Sequence, residues 1–178
     1  MNKHETYIVA AAQVTPVFLD RKATLEKACD IIAEAGQNGA KLVVFPEAFI
    51  PAYPDWVHLV PGGRGDMLNE LYATLVENAV AIPDQTTDRL CQAAKKAKLH
   101  VAIGVNERNR EASNASLYNS LLYIDASGTI LGKHRKLIPT ASERTVWSQG
   151  DGSTLEAYDT SLGLPAIFGE SNGMPLFF

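Results

Sequence analysis

The sequence predicts an α/β fold built on a mixed β-sheet, and two observations support this prediction. Through the first two thirds of the chain, short apolar runs alternate with segments whose apolar residues recur every three or four positions, which is typical of strands alternating with helices. From Leu117 onward, LYNSLLYID is followed by the turn ASG and then by TILGKHRKLI, which indicates an antiparallel hairpin. Parallel and antiparallel strands are therefore expected to share one sheet.

The first elements read as two strands around a helix. Tyr7–Val14 is a small-residue apolar run that suits a central first strand. Asp20 is expected to cap a helix that Gly36 or Gly39 ends. Leu42–Phe45 follows as a strand expected to be buried on both faces of the sheet. The apolar positions of the helix are Leu25, Ala28, Cys29, Ile32 and Ala35.

Two more helices and three apolar runs complete the predicted elements. Met67–Ala79 has helical periodicity, and a further helix begins at Pro83 and Asp84 and continues through Lys98. Val101–Val105 reads as the next buried strand. Beyond the hairpin, a short strand is expected at Leu155–Tyr158, followed by a last apolar run, Leu164–Phe168.

Length, composition and charge narrow the class of protein. The 178 residues suffice for one domain with a real core, and 46% of them are hydrophobic. The formal net charge of −4, with no basic stripe beyond KHRK, argues against nucleic acid as a partner. The segment MNKHETY lacks the apolar core of a signal peptide, and no run of about 18 apolar residues occurs. A cytoplasmic protein that spans no membrane is the expectation.

The stretch KLVVFPEAFIPAYPDW, residues 41–56, brings a carboxylate to the end of a predicted strand. Pro46 ends the strand, and Glu47 follows at the edge of the sheet where α/β proteins usually bind their ligands. A carboxylate held beside prolines and aromatic rings is suited to act as a base, although an acidic turn residue would read the same way. The aromatic residues beside it are Phe49, Tyr53 and Trp56.

Three other polar features lie at strand ends or in loops. The trio Asn106–Arg108 ends a predicted strand, Lys136 lies in GKHRKL, and Glu143 lies in a polar loop, 140–152, that Trp147 is expected to anchor. A carboxylate and a lysine beside a covered crevice suit proton transfer combined with stabilisation of developing negative charge. Taken singly, Lys136 also suits an exposed hairpin strand, and Glu143 an ordinary charged loop.

Together with their flanks, these features resemble the nitrilase branch of the carbon-nitrogen hydrolase superfamily. The matching segments run from about Ile8 to Thr160: VFPEAFIPAYPDW, GVNER, the hairpin with GKHRKLIPT, and ERTVWSQGDGSTL. The resemblance implies an αββα sandwich of the nitrilase type, four-layered when dimeric, and a homo-oligomer. It also implies a nitrile as substrate, with a carboxylic acid and ammonia as products, and chemistry that needs neither a metal nor an organic cofactor.

The resemblance also implies roles for individual residues. Glu47 would be the general base, Lys136 would stabilise charge in the tetrahedral states, and Glu143 would hold Lys136. In the family a Cys thiolate adds to the nitrile carbon, and water then releases ammonia and the acid. The substrate pocket would be lined by Phe49, Tyr53, Trp56, Asn106 and Trp147.

The nucleophile is where the sequence departs from the family pattern. The matching stretch AIFGESNGMPL places Phe168 or Gly169, depending on the direction of matching, where the family has its Cys. The two cysteines, Cys29 and Cys91, fall on inward faces of predicted helices, where buried thiols are expected and a disulfide between the helices is the alternative. Ser171 has no histidine or lysine that the sequence places near it.

Two functional hypotheses therefore stay open. The first is a nitrilase, which hydrolyses non-peptide carbon-nitrogen bonds. The second is a catalytically inactive fragment or paralogue that binds a small molecule or a nitrilase subunit, and the missing Cys supports it. A generic nucleotide-binding domain is disfavoured because no glycine-rich phosphate loop follows the first strand. Because members of the family are longer, residues 1–178 are expected to form a single domain that is truncated at its carboxyl end.

Overall fold

A computed structural model describes residues 6–111, 113–162, 169–171 and 174–176. Five strands form one sheet in the order β1-β2-β3-β4-β5, in which β1, β2 and β3 are parallel and β4 and β5 are antiparallel. The predicted mixed sheet is thus confirmed. The strands of this sheet are β1 Val9–Ala11, β2 Leu42–Val44, β3 His100–Arg108, β4 Leu117–Ile124 and β5 Ile130–Arg135.

Four α-helices, a 3-10 helix and a separate hairpin complete the described elements. The helices are α1 Arg21–Gln37, α2 Trp56–Leu59, α3 Gly65–Asn78 and α4 Gln85–Ala97, and the 3-10 helix is Ala141–Thr145. The hairpin consists of β6 Gly169–Ser171 and β7 Met174–Leu176. Among the described residues, no helix combines the length and the apolar composition needed to cross a bilayer.

The helices α1 and α4 begin where the sequence predicts, because an aspartate caps each of them. A side-chain oxygen of Asp20 accepts a hydrogen bond from the backbone N–H of Ala23 at 2.9 Å. Asp84 accepts from the N–H groups of Thr86 and Thr87, and the Thr87 hydroxyl accepts from the Asp84 N–H, which completes a capping box. Both helices pack on one face of the sheet.

The alternation of side chains gives the sheet two distinct faces. Val43, Ile103, Val105 and Leu122 lie in the core shared with α1 and α4, and this is the helix-side face. Their neighbours along the strands occupy the opposite face, here called the site face. It includes Ala102, Gly104, Asn106 and Asn119.

Three expectations about strands are wrong or only partly right. β1 is an edge strand within the described residues, not a central one, because the later strands all add on the far side of β2. β2 is not buried on both faces, since Val43 is fully buried but Leu42 and Val44 are only half-buried. Leu155–Tyr158 forms no strand.

The segment after the polar loop makes side-chain contacts and has a single β-bridge residue, Tyr158, where a strand was expected. The ring of Tyr158 lies 5.8 Å from that of Tyr123 on the site face, and the Ser161 hydroxyl lies 3.0 Å from Nε2 of His100. A few well-placed side chains therefore fix this segment where the apolar pattern had indicated a strand. The apolar run Leu164–Phe168 falls outside the described residues.

After β2 ends, the chain stays alongside β3 through a tight turn. The backbone N–H of Phe45 donates to the carbonyl of Ala102, and that of Ile50 donates to the carbonyl of Gly104 at 3.1 Å. A Cβ at Gly104 would lie 2.4 Å from the carbonyl oxygen of Pro46 and 2.5 Å from the nitrogen of Ala48. Gly104 is thus the residue that lets this turn rest directly on β3.

We predict that Gly104→Ala destabilises the protein by about 1–3 kcal/mol, the usual range for overpacking, because the new methyl group would collide with backbone atoms. Chemical denaturation measures the change. Gly62→Ala is the matched control, since no atom lies within 4 Å of its added methyl group. Equal unfolding free energies for the two variants would contradict the account of the turn.

Candidate active site

Three charged residues from two separate parts of the chain converge at the end of the sheet. The Nζ atom of Lys136 lies 2.9 Å from Oε1 of Glu47 and 3.0 Å from Oε2 of Glu143. Glu47 is 89 positions from Lys136 and Glu143 only seven. The structure therefore brings together the three residues that the sequence singled out for proton transfer and charge stabilisation.

Each of the three is held by its local backbone. Lys136 directly follows β5, where its N–H donates to the carbonyl of Asn119 at 2.8 Å. Glu143 lies in the first turn of the 3-10 helix, and its Oε2 accepts from the backbone N–H of Thr140 at 2.6 Å. Glu47 lies in the turn on β3, next to Ala48, whose φ of +49° is in the left-handed region.

Burial distinguishes the two carboxylates. The side chains of Lys136 and Glu143 are 3% and 6% exposed, whereas that of Glu47 is 34% exposed. A buried cation needs an anionic partner, and Lys136 has two. Glu47 is therefore the member of the cluster that both contacts the lysine and remains open to an incoming molecule.

Contacts within the cluster keep Lys136 and Glu143 charged. Burial by itself lowers the pKa of Lys136, but hydrogen bonds from it to Glu47 and Glu143, and their charges, outweigh burial and raise that pKa above its ordinary value. Burial raises the pKa of Glu143, yet hydrogen bonds from Tyr53, the Thr140 N–H and Lys136 outweigh it and lower the pKa. An ammonium and a carboxylate thus face each other at neutral pH.

Two polar side chains complete the cluster. Nδ2 of Asn119 donates to Oε1 of Glu47 at 2.5 Å, and the Tyr53 hydroxyl donates to Oε1 of Glu143 at 2.6 Å. Burial and the hydrogen bond to Glu143 raise the pKa of Tyr53, so it remains a donor. Sequence reasoning missed Asn119. Counting the hairpin register back from the turn ASG would have paired it with Arg135, because the pairing shifts by one residue at Tyr123 and Ile124.

Most of the predicted pocket residues are interior packing residues instead. Phe49 is 1% exposed and packs in the helix-side core, where its ring lies 5.2 Å from that of Phe45. Trp56 and Trp147 are buried in a second apolar cluster with Leu75. These three aromatic residues, which looked like a pocket wall in the sequence, therefore pack beneath the turn and the loop.

Asn106 is also buried, and its side chain joins two segments. Its Nδ2 donates to the carbonyl of Ala52 at 2.9 Å, and its Oδ1 accepts from Nε1 of Trp147 at 2.8 Å. Trp147 is thus the predicted anchor of the polar loop, and Asn106 ties that loop to the turn carrying Glu47. Among the five predicted pocket residues, Tyr53 is the half-buried one that lies directly at the charged cluster.

The thiols lie away from this cluster. Cys29 and Cys91 pack against the helix-side core from α1 and α4, half-buried and both free, so the disulfide considered from the sequence does not form. Burial raises the pKa of both thiols, which makes them poor nucleophiles. Of the two positions matched to the family Cys, Phe168 lies outside the described residues and Gly169 begins β6.

We predict that Glu143→Gln lowers the unfolding free energy at pH 7 by about 1.5–3 kcal/mol, the range for hydrogen bonds to charged groups. Because the folded pKa of Glu143 is lowered, its contribution to stability is present above the unfolded pKa and is lost as pH falls through the folded value. Urea unfolding from neutral to acidic pH should thus show that the unfolding free energy of the variant falls less steeply with decreasing pH.

The matched control for this prediction is Glu70→Gln, which changes an exposed carboxylate on α3. It should leave both the unfolding free energy and its acid dependence close to those of the unsubstituted chain. If the unfolding free energy of Glu143→Gln falls with acidification just as that of the unsubstituted chain does, the buried pair of Lys136 and Glu143 does not contribute as argued.

Comparison with known proteins finds relatives that match most of the chain. The carbon-nitrogen hydrolase family model matches residues 8–172. The chain is 40% identical to a nitrilase of Bacillus sp. (strain OxB-1) over 163 residues, which are 92% of this chain and 46% of that protein. It is 41% identical to the bifunctional nitrilase/nitrile hydratase NIT4B of Nicotiana tabacum over 174 residues, 96% of this chain and 49% of that protein. The chain thus spans about half the length of these relatives.

Solved structures show the same fold at lower identity. A double mutant of the amidase from Nesterenkonia sp. AN1, in complex with acrylamide, superimposes with a TM-score of 0.58 and 17% identity over 85% of this chain and 51% of that one. A mutant of the same amidase in complex with butyramide covers 95% of this chain and 53% of that one, also with a TM-score of 0.58. From the family match over residues 8–172, the chain belongs to the carbon-nitrogen hydrolase family.

Proposed function

We propose that Glu47, Lys136 and Glu143 are the base and cation components of a site that hydrolyses a nitrile to a carboxylic acid and ammonia. The observation that carries this proposal is the buried Lys136 ammonium, which is held by one buried carboxylate and one partly exposed carboxylate. The similarity to nitrilases at about 40% identity supports the nitrile as substrate. The reaction itself requires a thiol nucleophile at the position matched by Phe168 or Gly169.

Glu47 is placed to move the protons. It would take the proton of the attacking thiol as sulfur bonds to the nitrile carbon, and transfer that proton to nitrogen to give a thioimidate. It would then take a proton from water as the water oxygen adds to the same carbon, so that ammonia leaves and an acyl thioester remains. A second water, activated in the same way, would break the carbon-sulfur bond and release the acid. Its exposed fraction gives the water and the substrate access to it.

Lys136 is placed to stabilise negative charge. Electron density moves onto the substrate nitrogen, and later onto oxygen, each time carbon becomes tetrahedral. A fixed ammonium in a buried position stabilises that charge more strongly than one in water would. Glu143 keeps Lys136 charged and oriented, and the Tyr53 hydrogen bond fixes Glu143 in turn.

The complete fold that we propose is the αββα sandwich, in a homo-oligomer. Its support is the fold match to a solved amidase and a sheet that has α1 and α4 packed on one face. Ile8 and Val9 on the edge strand are largely exposed. Exposed apolar side chains on an unpaired edge favour association with further strands or further subunits.

A second candidate function is binding without turnover. The observation that favours it is the absence of a cysteine at either position matched to the nucleophile. In that case the charged cluster would hold a nitrile, an amide or an acid, or the chain would bind a nitrilase subunit. Titration calorimetry of the 178-residue chain against these ligands, and against the Bacillus nitrilase, tests this candidate. Heats of binding that vanish in Lys136→Met would support a ligand at the charged cluster. If neither the small ligands nor the Bacillus nitrilase gives a heat of binding, this second candidate function is rejected.

The first candidate is tested by ammonia release from a panel of aliphatic and aromatic nitriles. We predict no release by the chain itself. Release is expected after Phe168→Cys or Gly169→Cys in the chain extended by the carboxyl-terminal half of the Bacillus nitrilase. Glu47→Gln in the same extended chain should reduce the rate by about 100-fold or more, the usual contribution of a general base.

Two outcomes would count against this proposal. Inactivity of both cysteine variants, with their fold intact by circular dichroism, would show that the cluster does not support nitrile hydrolysis. Ammonia release by the unsubstituted chain that depends on Glu47 would show that another residue is the nucleophile.

A further inference from the structure

Glu107 is a buried carboxylate on β3 that the charged cluster does not include. Its side chain is 2% exposed and, by alternation with Asn106, points to the helix-side face. It accepts hydrogen bonds from the Ser120 hydroxyl on β4 at 2.7 Å and from Lys133 on β5. It also accepts two from Arg135, at 3.0 Å from Nε and 2.5 Å from Nη2. One side chain therefore connects three neighbouring strands.

The partners of Glu107 are the chain neighbours of cluster residues. Ser120 follows Asn119, which donates to Glu47, and Arg135 precedes Lys136. Because successive residues of a strand point to opposite faces, fixing Ser120 and Arg135 on the helix-side face fixes Asn119 and Lys136 on the site face. The network around Glu107 lies directly behind the charged cluster.

Backbone pairing fixes the register at the end of β5, where the Lys136 N–H donates to the carbonyl of Asn119, but it does not fix the direction of the side chains. β5 is an outer strand of the five-stranded sheet, and the register shift of its pairing with β4 lies at the other end, at Tyr123 and Ile124. Arg135 adds direction, because its planar guanidinium donates two bonds to one carboxylate and lies 4.1 Å over the Tyr118 ring. Burial raises the pKa of Glu107, but the bonds from Arg135, Lys133 and Ser120 outweigh it and lower the pKa, so it stays an anion.

We propose that Glu107 is a positioning residue that, through Arg135 and Ser120, sets where Lys136 and Asn119 meet Glu47. An effect of Glu107 on catalysis rests on the function proposed above. An effect of Glu107 on the Lys136 amine does not, because the contacts of Lys136 with Glu47 and Glu143 alter how readily that amine loses a proton whether or not a substrate is turned over.

The experiment measures the acylation rate of Lys136 in the 178-residue chain by mass spectrometry, as a function of pH. Relaxed contacts with the two carboxylates release the proton at lower pH, and half a pKa unit corresponds to about a threefold faster rate. At least this increase is expected for Glu107→Gln and also for Arg135→Lys. The second variant keeps the charge and loses the two-pronged bond, so it separates geometry from net charge.

Leu90→Ala is the matched control. It removes packing from a fully buried position on α4 and should cost about 2–5 kcal/mol without touching the network. Circular dichroism confirms that each variant is folded at the assay temperature, and a variant that is not folded is measured again at lower temperature. Leu90→Ala is expected to keep the Lys136 rate of the unsubstituted chain.

Three results would overturn the proposal. If Arg135→Lys keeps the unsubstituted rate, the carboxylate acts through charge alone. If Glu107→Gln keeps the unsubstituted rate, Glu107 has no effect on Lys136. If Leu90→Ala accelerates acylation equally, general loosening is the cause. Because this readout needs no nitrile, failure of the ammonia assay with an intact Lys136 response rejects the proposed function alone, and the reverse pattern rejects the positioning role alone.

Discussion

The structure depends on keeping one buried ammonium, that of Lys136, neutralised. Removing such a charge from water is costly unless anions accompany it. Its two carboxylates come from the turn after β2 and from the 3-10 helix after β5, so the pairing forms only when both segments rest against the sheet. Assembly of the charged cluster and assembly of the sheet end are therefore one event, which makes the site a consequence of folding and not an addition to it.

The two polar residues near the end of β3 serve opposite faces of the sheet. Asn106 lies on the site face and bonds to Ala52 and Trp147, which holds the turn bearing Glu47 against the polar loop. Glu107 lies on the helix-side face and bonds to β4 and β5. The buried side chains of Asn106 and Glu107 both have hydrogen-bond partners, so their burial specifies geometry at little cost. The charged end of β3 therefore positions groups on both faces of the sheet through Asn106 and Glu107.

Local signals in the sequence were enough for much of this fold. The aspartate caps of α1 and α4 and the hairpin turn act within a few residues, so their patterns are visible in the chain itself. Tertiary packing decided the rest. Phe49 resembles a pocket residue in sequence, but the tight turn over Gly104 carries it into the core. Asn119 escaped notice because the face and the partner of a polar strand residue are known only once the register is known.

The geometry also separates two parts of the proposed chemistry, namely the charged groups Glu47 and Lys136 and the nucleophile that would attack carbon. The positions of Glu47 and Lys136 are set by mutual attraction, by Asn119 and by the backbone of β3 and β5, and none of these contacts involves a thiol. The absence of a nucleophilic thiol would therefore leave Glu47 and Lys136 in place. A site whose electrostatic part is independent of its nucleophile can persist through a change at that position. For this reason the charged cluster supports the proposed binding and proton-transfer environment, whereas the proposed turnover would depend separately on the residue that attacks carbon.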